Sequence, residues 1–168
     1  MQVINIHKRT IKQPKEKLSQ LFKTLTTDND LVWPNENWPA MRFRDGLEVG
    51  NRGGHGRIRY TIIDFKAGEY IKFQFTKPLG FNGTHELKIE AINDATTEIY
   101  HEIRMSTTFK ATLLWVFVIR WLHDALIEDA FDKVENNFSI QNNITPYKVW
   151  VKFLRDRYKR KSFQTKKA

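Results

Sequence analysis

Histidine is the residue type in this chain whose placement could do chemistry near neutral pH. There are five histidines and no cysteine, so thiolate catalysis, cysteine metal sites and disulfide frameworks are excluded. His85 lies in an alternating run in which Leu87, Ile89 and Ala91 share one face, and His101 lies in a second run with Ile99, Ile103 and Met105. A short turn at Asn93–Ala95 sets Leu87 opposite His101, with His85 diagonal to it on the same face. His123 falls on the apolar stripe of the helical segment that follows. Three imidazoles are therefore expected to converge on one interior, where they could hydrogen-bond a ligand's polar head, hold a metal or move a proton. The competing reading is three separately satisfied core histidines. No metal is expected, because Glu86, Glu98, Glu102 and Asp124 are read onto other faces. No serine or cysteine nucleophile motif is present.

Two further segments carry possible chemistry. Gly50-Asn51-Arg52-Gly53-Gly54-His55-Gly56 is glycine-rich and joins two extended stretches. It could cradle a phosphate, but it lacks the Gly-Lys-Ser/Thr ending of a nucleotide loop and leads into a strand, so a turn or lid is the expected role. The second segment holds the charge. The net charge is +9, yet nine Lys and Arg against Asp156 alone fall between Ile144 and Ala168, which leaves the body near neutral. Within it Tyr147, Trp150, Val151, Leu154 and Tyr158 form an apolar stripe flanked by Lys148, Lys152, Arg155 and Lys159. That pattern suits a helix docked on the domain or one lying on an anionic membrane through Trp150, Lys152, Arg155 and Lys159. Nucleic acid is disfavoured, since no base-reading fold accompanies the tail.

The elements that must position these residues follow from periodicity. Residues 2–11 alternate as a strand. Pro14 opens a helix with Leu18, Leu21, Phe22 and Leu25 on one face. Two Trp-Pro pairs at Trp33 and Trp38 interrupt helix formation and predict an ordered loop or a short broken helix. Four strands follow from Ile58, with Ile58, Tyr60 and Ile62 and then Ile71, Phe73 and Phe75 facing inward ahead of the two histidine strands. A long helix is expected over Lys110–Asn137, with Asp124, Glu128, Asp132 and Glu135 on its solvated face. Its first turns are apolar nearly all round, which fits a loop cover, a homodimer contact or an aromatic-rimmed entrance. The expected order is an α+β fold, an antiparallel meander covered by one long helix. The most apolar stretch, Ala111–Leu122, is too short to cross a bilayer. With no secretory leader in Met1–Thr10, a cytoplasmic protein is expected, with peripheral membrane contact through the tail.

This element order, with the segment EVGNRGGHGRIRYTI, resembles the helix-grip superfamily (SRPBCC). That group includes START lipid-transfer domains, birch-pollen-allergen-like plant proteins and polyketide cyclases or dehydrases. The glycine segment is similar to the loop of the plant allergen branch, with Arg52 as an extra residue and His55 where proline is usual. WPNENWPAMRF and HDALIEDA are similar to segments of bacterial members. The resemblance covers residues 2–138. It implies a curved antiparallel sheet wrapped around a long C-terminal helix, with a cavity between them.

The chain is therefore expected to comprise a helix-grip ligand-binding domain, residues 1–140, and a basic amphipathic extension, residues 141–168. The expected ligand is apolar: a lipid, isoprenoid, quinone or aromatic metabolite. Its walls would be Tyr60, Ile62, Phe73, Phe75, Leu87, Ile99, Ile103, Met105, Ile127 and Phe131, with His85, His101 and His123 as polar points. Trp33, Trp38, Arg52 and His55 would form the entrance. The alternatives are a cyclase- or dehydratase-like enzyme using a cavity histidine, and a docking protein whose cavity is filled by its own side chains. No cofactor is expected.

Overall fold

The computed structural model describes residues 1–165, with side chains described through Tyr158. Seven strands form one antiparallel sheet in the order β1-β7-β6-β5-β4-β3-β2. They are β1 (Gln2–Ile11), β2 (Arg42–Phe43), β3 (Arg52–His55), β4 (Ile58–Lys66), β5 (Tyr70–Lys77), β6 (Phe81–Asn93) and β7 (Thr96–Thr107). Register shifts between Arg59 and Tyr60, and again between Ile62 and Asp64, interrupt the β4–β5 ladder, and such bulges bend a strand.

The expected register of the histidine strands is the observed one: Leu87 pairs with His101 and His85 with Ile103. The turn is tighter than expected, since Asn93 pairs with Thr96. β1 closes the sheet against β7, with His7 opposite His101. Because side chains alternate along a strand, Val3, Asn5, His7 and Arg9 share the face that meets the long helix, while Ile4 and Ile6 face solvent.

Helix α1 (Lys15–Phe22) starts after Pro14 and buries Leu18 and Phe22. The Trp-Pro segment that follows is held as a loop by Asp30. Its carboxylate accepts N–H bonds from Thr26, Val32 and Trp33 at 2.7–2.8 Å. Three such donors hold Trp33 against the core, where it is buried.

The long helix runs as α2 (Phe109–Leu114), a π-helical stretch (Trp115–Ile119) and α3 (Arg120–Asn136). Sequence periodicity predicts an unbroken α-helix here, and the wide turn is the departure from it. In this region the indole N–H of Trp121 donates to the Val116 carbonyl and that of Trp150 to the Phe117 carbonyl, each at 2.9 Å. Leu126, Ile127, Ala130, Phe131 and Val134 are buried under the sheet. Each large side chain so buried contributes about 2 kcal/mol of transfer free energy.

Two expectations are corrected. The glycine segment is not a free loop or lid: Arg52–His55 form β3, paired to β2 on one side and β4 on the other. Glycine is needed there for close approach, since a Cβ on Gly53 would run into the Arg42 carbonyl and the Phe43 ring. Nor is the acidic stripe of α3 a freely solvated face: Asp132 is buried and the others are only partly exposed. Asp124 and Glu128 reach His7, and Arg9 bonds Glu128, Asp132 and Glu135. Acidic residues at these spacings would face solvent on an isolated helix, but here β1 supplies cations on its inward face.

The tail folds as α4 (Val149–Thr165). Its Val151 is buried. The preceding segment is tied to α3 by Thr145 on Asp132 and by the Tyr147 hydroxyl on Asp129. Among the described residues, no helix is long and apolar enough to cross a membrane.

Candidate functional site

Between the sheet, the long helix and the Trp-Pro loop lies a cavity of about 580 Å³. It is not filled by the protein's own side chains. Phe73, Phe75, Leu87 and Ile103 contribute sheet walls, and Ile127 contributes from α3. Trp33, Trp38, His55 and Arg155 also line it. Its polar points are His85 from β6, His101 from β7 and His123 from α3.

The five histidines of the chain form one array. His7 and His123 have ring centroids 5.7 Å apart, His123 and His101 4.8 Å, and His101 and His85 5.8 Å. Tyr60 continues the array, 4.8 Å from His85 and 5.8 Å from His55. His85 also stacks on Phe73 and on Phe75 at 4.6 Å each.

Burial keeps the cavity rings neutral. It lowers the pKa of His85 and His101 well below 6.5, and neighbouring histidines add to the effect. His55 falls to about 3, again chiefly through burial, with the neighbouring His123 and Arg59 adding. His7 is the opposite case. Burial alone would lower its pKa, but Asp124 and Glu128 outweigh this and raise it to about 9. Asp124 lies 3.1 Å from His7 Nε2 and 3.6 Å from His123 Nδ1. Burial would raise its pKa, and the two histidines hold it well below the usual carboxylate range.

His85 Nε2, His101 Nδ1 and both nitrogens of His123 are buried with no protein hydrogen-bond partner. A buried polar atom left unmade costs about 1–3 kcal/mol. His123 Nδ1 lies toward Asp124, at 3.6 Å. The other three atoms, one on each ring, give the apolar cavity a place where a ligand's donors or acceptors would be satisfied.

Several residues expected at the cavity lie elsewhere. Tyr60 and Phe131 do not line it: both are fully buried in the core. The Tyr60 hydroxyl is hydrogen-bonded to His55 Nδ1 at 3.1 Å, and Phe131 packs below the Arg9 guanidinium. Met105 belongs to the smaller cluster around Trp115 and Phe81, and Ile62 and Ile99 to the main core. Arg52 is exposed on β3, away from the entrance. Arg155, expected on the outer face of the tail, turns inward. Its guanidinium lies 4.2 Å from the Trp38 ring centre and 4.4 Å from that of Tyr147, and it donates to the Asn37 carbonyl. Trp150 and Lys152 remain exposed, and the Lys159 side chain lies outside the described residues. Asp124, read onto another face, stands beside His123 instead.

Sequence reasoning missed Trp115, Phe81, Met41 and Leu126 as cavity residues, and it missed His7 beside the array. Strand alternation carried the signal for His7, which shares the inward face of β1 with Val3.

No family model matches the sequence, and no curated protein matches it. Solved structures do. A protein of Nitrosospira multiformis aligns with a TM-score of 0.60 at 14% identity, covering 82% of this chain and 97% of that one. Norcoclaurine synthase from Thalictrum flavum, solved with dopamine and hydroxybenzaldehyde, aligns with a TM-score of 0.61 at 9% identity over 85% of this chain and 90% of that one. CalU16 from Micromonospora echinospora aligns with a TM-score of 0.55 at 11% identity over 82% and 87%. At such identities the likeness speaks to architecture alone, and by that architecture the chain has the helix-grip fold.

Proposed function

We propose that the chain binds one apolar small molecule in the cavity, with the molecule's polar group held by His85, His101 and His123. The observation that carries this reading is the cavity itself. About 580 Å³ of apolar-walled space falls within the range of small-molecule sites, roughly 300–1,000 Å³, and its polar points are neutral imidazoles with partnerless nitrogens. A lipid, isoprenoid, quinone or aromatic metabolite has the matching chemistry, a large apolar body with one or two polar atoms. That norcoclaurine synthase holds dopamine and hydroxybenzaldehyde supports an aromatic ligand.

Native mass spectrometry of the chain purified from its host tests the reading. A bound small molecule released on denaturation is expected. A bare chain that also takes up no 1-anilinonaphthalene-8-sulfonate overturns it. His101→Ala removes one hydrogen bond to the polar group and should weaken probe or ligand binding by about fivefold.

The surface near the cavity favours a second reading, docking of this face on an anionic membrane. Phe117 on the π-helical stretch is exposed, as are Leu113, Trp150 and Phe153. Lys148, Lys152 and Arg157 are exposed beside them. Aromatic residues flanked by lysines suit a headgroup interface, and vesicle binding tests it.

A further inference from the structure

A second cluster sits between β1 and α3, sharing only His123 with the cavity. We propose that His7, His123 and Asp124 form a binding site for a divalent transition-metal ion of the zinc class. This goes beyond the ligand reading and stands or falls separately from it.

The geometry is the first support. One ring nitrogen of His7, one of His123 and one carboxylate oxygen of Asp124 all lie within 4.8 Å of one another. Asp124 Oδ1 is 3.1 Å from His7 Nε2 and 3.6 Å from His123 Nδ1. Donors around a four-coordinate zinc with bonds of about 2.0–2.1 Å are spaced by roughly 3.3 Å, so closing this set on an ion needs only small side-chain adjustments.

Two buried atoms without partners are the second support. His123 Nδ1 has none, and neither does Asn5 Oδ1. Asn5 already donates through Nδ2 to Asp124 Oδ1 at 3.0 Å. The two ends of its amide are alike in shape, so turning it over brings Oδ1 to the same place as a fourth donor. A cation there satisfies both atoms at once.

The surroundings are the third. His7 Nδ1 is hydrogen-bonded to Glu128 Oε1 at 2.9 Å, and Arg9 holds the other oxygen of Glu128 at 2.7 Å. A carboxylate behind a histidine fixes its ring and presents the opposite nitrogen, the arrangement that supports metal-bound histidines. Against the effect of burial, Asp124 and Glu128 hold His7 protonated, raising its pKa to about 9. The ion must therefore displace the Nε2 proton, and binding releases it to solvent. The donors come from a strand paired along its length and from a packed helix, so the site is rigid. The Asp124 side chain is 30% exposed, which leaves a way in from solvent. Two imidazoles and one carboxylate match zinc or cobalt and not calcium or magnesium, which take all-oxygen sets.

The test uses the full chain, treated with a chelator that is then removed, and Co²⁺ as the probe at about pH 7.5. A visible d–d band saturating at one ion per chain is expected, abolished by Zn²⁺, together with a rise in Tm on adding Zn²⁺. Asp124→Asn keeps the shape of the seam, and His123→Gln removes the second nitrogen. Each should weaken Co²⁺ binding by more than about tenfold, with folding checked by circular dichroism. His85→Gln, which alters the cavity alone, should leave it unchanged. No band and no Tm shift at excess metal overturns the proposal. So does binding that survives in a folded Asp124→Asn protein.

Discussion

His85 illustrates what burial does to a titratable ring. It is stacked between phenylalanines, and its pKa is driven well below 6.5. Such a ring stays neutral in the fold while the unfolded chain takes up a proton. Its contribution to stability is complete above pH 6.5 and is lost as pH falls below that value, by about 1.4 kcal/mol per pH unit. Between pH 7 and pH 5 the loss is about 2 kcal/mol from this ring. Urea denaturation at the two pH values should show a smaller drop by about that amount in His85→Gln. An equal drop in both proteins would mean that His85 titrates normally. The placement of His85, His101 and His123 could be read because strand and helix periods are strict over those runs. That of Asp124 could not: its neighbour His7 is 117 residues away, and helix periodicity gives only the angle at which a carboxylate leaves the helix.

At the scale of elements, the β1–α3 seam is the feature that sequence patterning inverted. Asp124, Glu128, Asp132 and Glu135 recur at helical spacing and look like a wet face. The correcting hint was in β1, where Asn5, His7 and Arg9 occupy inward positions that a strand normally gives to apolar residues. Arg9 bridges Glu128, Asp132 and Glu135, and Asp132 in turn takes the Thr145 N–H and hydroxyl ahead of α4. Removing the guanidinium leaves the Asp132 carboxylate, which is 8% exposed, with an uncompensated charge. A fully buried pair broken this way costs about 3–5 kcal/mol. Glu128 and Glu135 are partly solvated, so Arg9→Ala should cost about 2–3 kcal/mol, seen as a lower urea midpoint at unchanged slope. A midpoint within error of the parent would show that the seam is dispensable. The strand status of Arg52–His55 was hidden for another reason. Glycine signals backbone freedom, and here it serves close contact between three strands.

Across the whole molecule, charge and apolar surface are unevenly distributed. The near-neutral body ends in a segment, Lys148 and α4, whose described basic residues divide into two sets. Arg155 is spent inside, on Trp38 and Tyr147, while Lys148, Lys152 and Arg157 face out near Trp150 and Phe153. Composition located the charge but not this division, because which side of α4 docks depends on aromatic partners in the Trp-Pro loop. If the outward set meets lipid, the chain should co-sediment with phosphatidylserine vesicles and much less with neutral ones. Replacing Lys148, Lys152 and Arg157 by glutamate should abolish the difference. Equal sedimentation of parent and variant would remove the membrane reading. The π-helical stretch at Trp115–Ile119 bears on the same surface through helical phase. An α-helix advances about 100° per residue, and a π-turn is in effect one residue too many for its length. Everything before it is therefore rotated by roughly that angle relative to α3. The orientation of Trp115 toward the cavity and of Phe117 toward solvent is thus set by a count of residues as well as by their types. Losing any one residue between 115 and 119 would turn the aromatic collar to a new heading while leaving α3 and its histidine where they are.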